Sequence, residues 1–163
     1  MSVKAVIYDK QKKSEFTPEM RKLIRRACAA VIKSEGFTGN AQIDISIVDD
    51  EQIKAINAQF RNIDAATDVL SFPLGENGCY DVNPVTGAYM LGDVVLSLEH
   101  AIAQGMIYGH GTDREIAYLT VHSVLHLLGY DHINSDAEKK IMRGREEAAL
   151  DILGLSITGE NND

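Results

Sequence analysis

The segment HSVLHLLGYDH, residues 122–132, holds three histidines at spacings of four and then six. Imidazoles four residues apart on a helix rise from one face, one turn above the other. Gly129 can adopt the left-handed conformation that ends a helix, and a chain turning back there can carry His132 over the same face. His122, His126 and His132 then form three legs of a tetrahedron. Three neutral ligands with a fourth position left to water is the arrangement of a catalytic zinc. The plain alternative is two hydrogen-bonded core histidines with a third stranded in the loop beyond them. Burying three titratable rings together without an ion leaves several ring nitrogens to satisfy, which favours the metal.

Ser123 follows the first histidine, at the place where the zinc-protease motif His-Glu-x-x-His carries its general base. Serine cannot take over the proton transfers that an amine leaving group demands. A metal still supplies bound hydroxide at neutral pH and polarises a phosphoryl oxygen, so phosphodiester cleavage fits the cluster better than peptide cleavage. Asp131 is a candidate to orient a ligand ring, or to serve as the missing base. Arg61 stands alone in FRNIDAATDVLSFP (60–73), ahead of a strand signal. By position it is a solvated surface charge; by chemistry its planar fork matches phosphate oxygens two at a time. His100 and His110 lie outside the motif and take no role.

Composition narrows the setting. A chain of 163 residues suggests one domain, residues 1–163, able to bury a sizeable core without a staple, with about 155–163 as a flexible tail. Trp is absent and aromatics make up 6%, so the core must be mostly aliphatic. The formal net charge of −8 argues against indiscriminate binding of nucleic acid or membranes. Arg21, Lys22, Arg25 and Arg26 gather on one helix face, which reads first as solvated and second as a docking surface for RNA backbone or a partner protein. No apolar run approaches a membrane span, and the N-terminus MSVKAVIYDKQKK has no signal-peptide pattern. Cys28 and Cys79 are far apart and read as reduced thiols of a cytoplasmic protein.

The elements that must position the histidines follow from periodicity. Val3–Asp9 and Ala41–Val48 read as strands, the second alternating cleanly through Ile43, Ile45 and Ile47. Thr17-Pro18-Glu19 starts a helix that runs to about Glu35 and stops at Gly36. Asp49-Asp50 caps a short helix through Phe60. Thr67–Phe72 and Met90–Leu98 are further strands, separated by the turn-rich loop 75–88. Helices follow at roughly 98–106, 112–128 and 135–153. The helix 112–128 is apolar on most sides and is therefore buried. The expected fold is α+β (mixed α/β): a small mixed four-stranded sheet packed with about five to six helices.

Taken together, HSVLHLLGYDH, TDVLSFP and LGDVVLSLE (91–99) resemble the YbeY family of endoribonucleases and ribosomal RNA maturation factors, over nearly the whole chain. The resemblance implies zinc, one Zn2+ per chain, held by His122, His126 and His132. It implies functional roles for Arg61, His122 and His126 in cutting single-stranded RNA. It further implies work in 16S rRNA 3′-end maturation and ribosome quality control, with the small ribosomal subunit or its assembly factors as partners. Two departures stand out: Ser123 where the family commonly has Gly, and Ala66 where Pro often precedes TDVLSFP. A second reading stays open, a non-catalytic ribosome assembly factor with structural zinc, in which Cys79 or Asp131 closes the metal's shell. A zinc peptidase is the remote third.

Overall fold

The computed structural model describes residues 2–76, 78–130 and 135–155. In chain order its elements are β1 (Val3–Asp9), α1 (Pro18–Ser34), β2 (Ala41–Val48), α2 (Asp50–Arg61), β3 (Val69–Pro73), β4 (Tyr89–Ser97), α3 (Leu98–Tyr108), α4 (Thr112–Leu127) and α5 (Asp136–Leu153). The α+β class expected from the pattern is the one that forms, a four-stranded mixed sheet with five helices among the described residues.

Helix starts are set by side chains that satisfy orphan backbone N–H groups. The Thr17 hydroxyl accepts from the Met20 N–H at 3.1 Å, with Pro18 in the first turn behind it. Asp49 and Gln52 form a reciprocal capping box at 2.9 Å in each direction, so Asp49 caps α2 while Asp50 lies inside it. Ser97 and Ser135 cap α3 and α5.

The strand order is β1-β2-β4-β3, with β1, β2 and β4 parallel and β3 antiparallel to β4 at one edge. Ile43, Ile45 and Ile47 are wholly buried on the face covered by α1 and α4. Each such side chain contributes about 1.5–3 kcal/mol by leaving water. The other face is covered by α2, whose Ile53 and Ile56 meet Val48, Val95, Leu70 and Phe72. Alternation along β2 thus divides the molecule into a large helical layer and a small one. Among the described residues no helix is long and apolar enough to cross a membrane. Cys28 is buried, Cys79 exposed, and both are free.

Strand β3 begins two residues later than expected and includes Pro73. Pro is tolerated there because β3 is an edge strand, where a missing N–H costs no ladder bond. The pairing of β2 with β4 slips between Gln42 and Ile43, whose partners are Met90 and Gly92. Gly92 has φ +148, and a Cβ there would lie 2.4 Å from the Phe72 carbonyl oxygen and 2.7 Å from Leu127 Cδ2. The glycine of LGDVVLSLE therefore lets β3 and the end of α4 close over β4.

Candidate active site

The histidine helix α4 is buried along Ile116, Ala117, Leu119, Val121, Val124, Leu125 and Leu127, as its apolar pattern requires. Tyr118, His122 and His126 form its half-buried stripe, each one turn beyond the last. The two imidazoles stand edge to face, ring centres 4.6 Å apart, and their Nε2 atoms approach to 3.1 Å.

What holds them in that pose decides their chemistry. His122 Nδ1 lies 2.5 Å from a carboxylate oxygen of Glu146, a buried residue of α5. His126 Nδ1 lies 2.7 Å from the backbone carbonyl of Tyr130. A carbonyl only accepts, so His126 donates from Nδ1, and a carboxylate behind His122 favours the same tautomer, which turns both Nε2 atoms toward the cleft as acceptors. The two Nε2 atoms face each other. Two nitrogens that bind one tetrahedral zinc at about 2.0–2.1 Å are themselves about 3.3 Å apart, so the spacing fits a shared cation.

Gly129 builds half of this arrangement. It takes φ +106 and closes α4 with paired bonds, Gly129 N–H to His126 O at 3.0 Å and Tyr130 N–H to Leu125 O at 3.1 Å. That is the Schellman ending, and it folds the Tyr130 carbonyl back under the His126 ring. The Tyr130 hydroxyl then donates to Glu35 at 2.5 Å, and the other Glu35 oxygen lies 3.5 Å from Arg145 Nε. Burial first, then Glu35, raises the Tyr130 phenol above its ordinary range. The loop after α4 is thereby tied to the end of α1 and to α5. His132 and Asp131, the other residues singled out in the motif, lie outside the described residues. Among the described residues no set of three His, Cys, Asp or Glu forms a metal-binding group.

Arg61 reaches the same place from the far side. It is the last residue of α2, which Asn62 ends with a left-handed φ of 58°. Its Nη2 donates to the Ser71 carbonyl of β3 at 2.7 Å, and its guanidinium lies 5.1 Å from the Phe72 ring centre. A cleft of about 810 Å³ is lined by Arg61, Asp68, Ser71, Glu76, His122 and His126, among others. The lone arginine and the histidine pair, sixty residues apart in sequence, therefore open into one space.

Ser123 is wholly buried, its hydroxyl without a hydrogen-bond partner among the described residues, so it faces the core rather than the cleft. His100 and His110 pair with Asp50 and Glu115 at 2.9 and 2.7 Å, outside the cleft lining. Two contributors escaped the sequence reading. Tyr118 stacks on His122 at 5.7 Å, and burial, then the charges of Glu146, Asp68 and Glu115, push its phenol pKa upwards. Glu146 carried one usable signal: it shares the buried face of α5 with Met142, Ala149 and Leu150, an acid on an apolar stripe.

Comparison with known proteins places the chain in a family. The family model described as Endoribonuclease YbeY matches residues 6–154. An Endoribonuclease YbeY from Caldanaerobacter subterraneus is 42% identical over 155 residues, spanning 92% of this chain and 98% of the relative. One from Pelotomaculum thermopropionicum is 47% identical over 137 residues, spanning 82% and 86%. The solution structure of a Thermotoga maritima protein superimposes with a TM-score of 0.56 at 23% identity, covering 91% of each chain, a likeness of fold. Matched along nearly all of its described length, the chain belongs to the YbeY family of endoribonucleases.

Proposed function

We propose that this chain is a metal-dependent endoribonuclease acting on single-stranded RNA, with one zinc ion on His122, His126 and His132 and with Arg61 on the scissile phosphate. The observation that carries the reading is the convergence of two histidine Nε2 atoms 3.1 Å apart in a cleft that Arg61 also lines. Bound at those nitrogens, zinc supplies a water acidified to near neutrality and polarises a phosphoryl oxygen. The chain's own residues do the rest. Glu146 accepts the Nδ1 proton of His122 and the Tyr130 carbonyl that of His126, so both rings present the ligating nitrogen to one point. Arg61 rests one of its five N–H donors on Ser71 and suits two-point pairing with phosphate oxygens. We place its substrate in the 16S rRNA precursor at the 3′ end, its partners on the small ribosomal subunit, its work in ribosome quality control and its compartment in the cytoplasm. Residues 1–163 act in this reading as one catalytic domain.

An assembly factor with structural zinc would close the ion within four protein ligands. The histidine pair instead borders an open cleft, and Cys79 is not among the described residues lining it, which supports the catalytic reading. A peptidase of the His-Glu-x-x-His kind would need a glutamate where Ser123 stands, and Ser123 is buried. The test measures zinc content and single-stranded RNA cleavage together. His126→Ala is expected to lose both, and Arg61→Ala to keep the zinc and lose cleavage. Stoichiometric zinc in His126→Ala, or undiminished single-turnover cleavage by Arg61→Ala, refutes the respective assignment.

A further inference from the structure

Three neighbouring side chains at the edge of β3 have a use that the metal chemistry does not absorb. Phe60 precedes Arg61 at the end of α2 and is 61% exposed, with room to be covered. Its ring meets Phe72 edge to face, centres 5.6 Å apart. The Arg61 guanidinium lies over the same Phe72 ring and also borders the histidine cleft. Arg61 thus stands between the cleft on one side of β3 and an aromatic pair on the other, joining them into one surface.

The charge balance of the cleft gives such a surface a use. The whole chain is at −8, and among the described residues lining the cleft Arg61 is the one arginine or lysine, beside Asp68 and Glu76. A single phosphate contact gives weak, weakly salt-dependent binding, about −0.7 in log–log slope for a single strand. Proteins that hold unpaired strands add exposed rings to their phosphate contacts, because every base has a π-face on which to stack. We infer that Phe60, backed by Phe72, is a stacking platform for an unpaired RNA base next to the phosphate that Arg61 holds. Only an unpaired base can leave its neighbours to stack there, so the platform selects single strands. This rests on the RNA substrate of the proposed function but not on its metal.

The sequence offers a clean probe, since it contains no Trp. Phe60→Trp introduces a single indole, and titration with a short oligoadenylate in a chelating buffer reads binding without cleavage. Quenching of the indole is expected with oligoadenylate and not with inorganic polyphosphate, which has the charge without the bases. Phe60→Ala is expected to weaken oligoadenylate binding about 5- to 150-fold, with Phe60→Trp as tight as the parent. Phe60→Leu should lose as much as Phe60→Ala, since it keeps apolar area and loses the π-face. Unquenched indole, or Phe60→Leu binding like the parent, overturns the inference. So does a salt slope of several units, which would mean that phosphate contacts alone suffice. A parent protein that binds no RNA in any buffer sinks the substrate reading itself, and zinc loss in His126→Ala without any change here leaves the platform standing.

Discussion

Glu146 is the residue on which the metal reading can be tested most sharply, because it lies 24 positions from His122 in sequence and touches the ring on the side away from the cleft. Its carboxylate is 2.5 Å from His122 Nδ1 and the residue is 7% exposed, so the bond is screened little by solvent. Glu146→Gln keeps an acceptor for the Nδ1 proton but drops the charge, and a charge-assisted bond is about twice as strong as a neutral one. Glu146→Ala removes the acceptor and leaves a buried N–H to find another. Partners behind a ligating histidine are worth 10- to 100-fold in metal affinity, about 1.4–2.8 kcal/mol. The glutamine variant is expected near the lower end and the alanine variant near the upper. Competition with a chromophoric chelator gives the affinity. Nitrogen NMR of the metal-free protein gives the tautomer, expected to be Nδ1–H at His122 in the parent and mixed in Glu146→Ala. Zinc bound as tightly by Glu146→Ala as by the parent, with an unchanged tautomer, would show that the carboxylate does not orient the ring.

Other consequences are open to simple measurement. Ser123→Ala removes a buried hydroxyl that has no hydrogen-bond partner among the described residues, so it is expected to stabilise the fold by about 1–2 kcal/mol in denaturant titration. A loss of stability would mean that the hydroxyl is satisfied after all. Cys28 is buried and its thiol is pushed up to about 12, chiefly by burial, whereas Cys79 is exposed. A thiol reagent should therefore label Cys79 in the native protein and Cys28 only on unfolding. The unfolded chain gives up the Cys28 proton above about pH 9 while the native state keeps it, so stability is full below pH 9 and falls towards pH 12. The slope from this one group is about 1.4 kcal/mol per pH unit, and Cys28→Ala should flatten the alkaline limb of a stability–pH curve by that amount.

Much of the frame was readable from local chemistry. Thr17-Pro18, Asp49 and the alternating isoleucines of β2 each fix one short-range choice, and each formed as its residue types require. Gly129 was readable for the same reason: its positive φ is a local demand of the chain. The edge position of β3 was not, because a strand with Pro73 is edge or interrupted depending on what lies beside it, and that is a long-range fact. The site divides along the same line. His122 and His126 announce themselves by spacing, while Glu146, the Tyr130 carbonyl and the Phe60–Phe72 pair acquire meaning only when α5, the loop after α4 and α2 converge. A backbone carbonyl has no signature in sequence at all.

Gly92 has an effect far larger than its side chain. One flank of the β4 seam carries the strand on which the guanidinium rests, and the other carries the last turn of the imidazole helix. A methyl group at this position acts as a wedge, prising the two apart while every reacting group keeps its identity. The gauge of the cleft thus depends on a hydrogen atom at a position outside the described cleft lining.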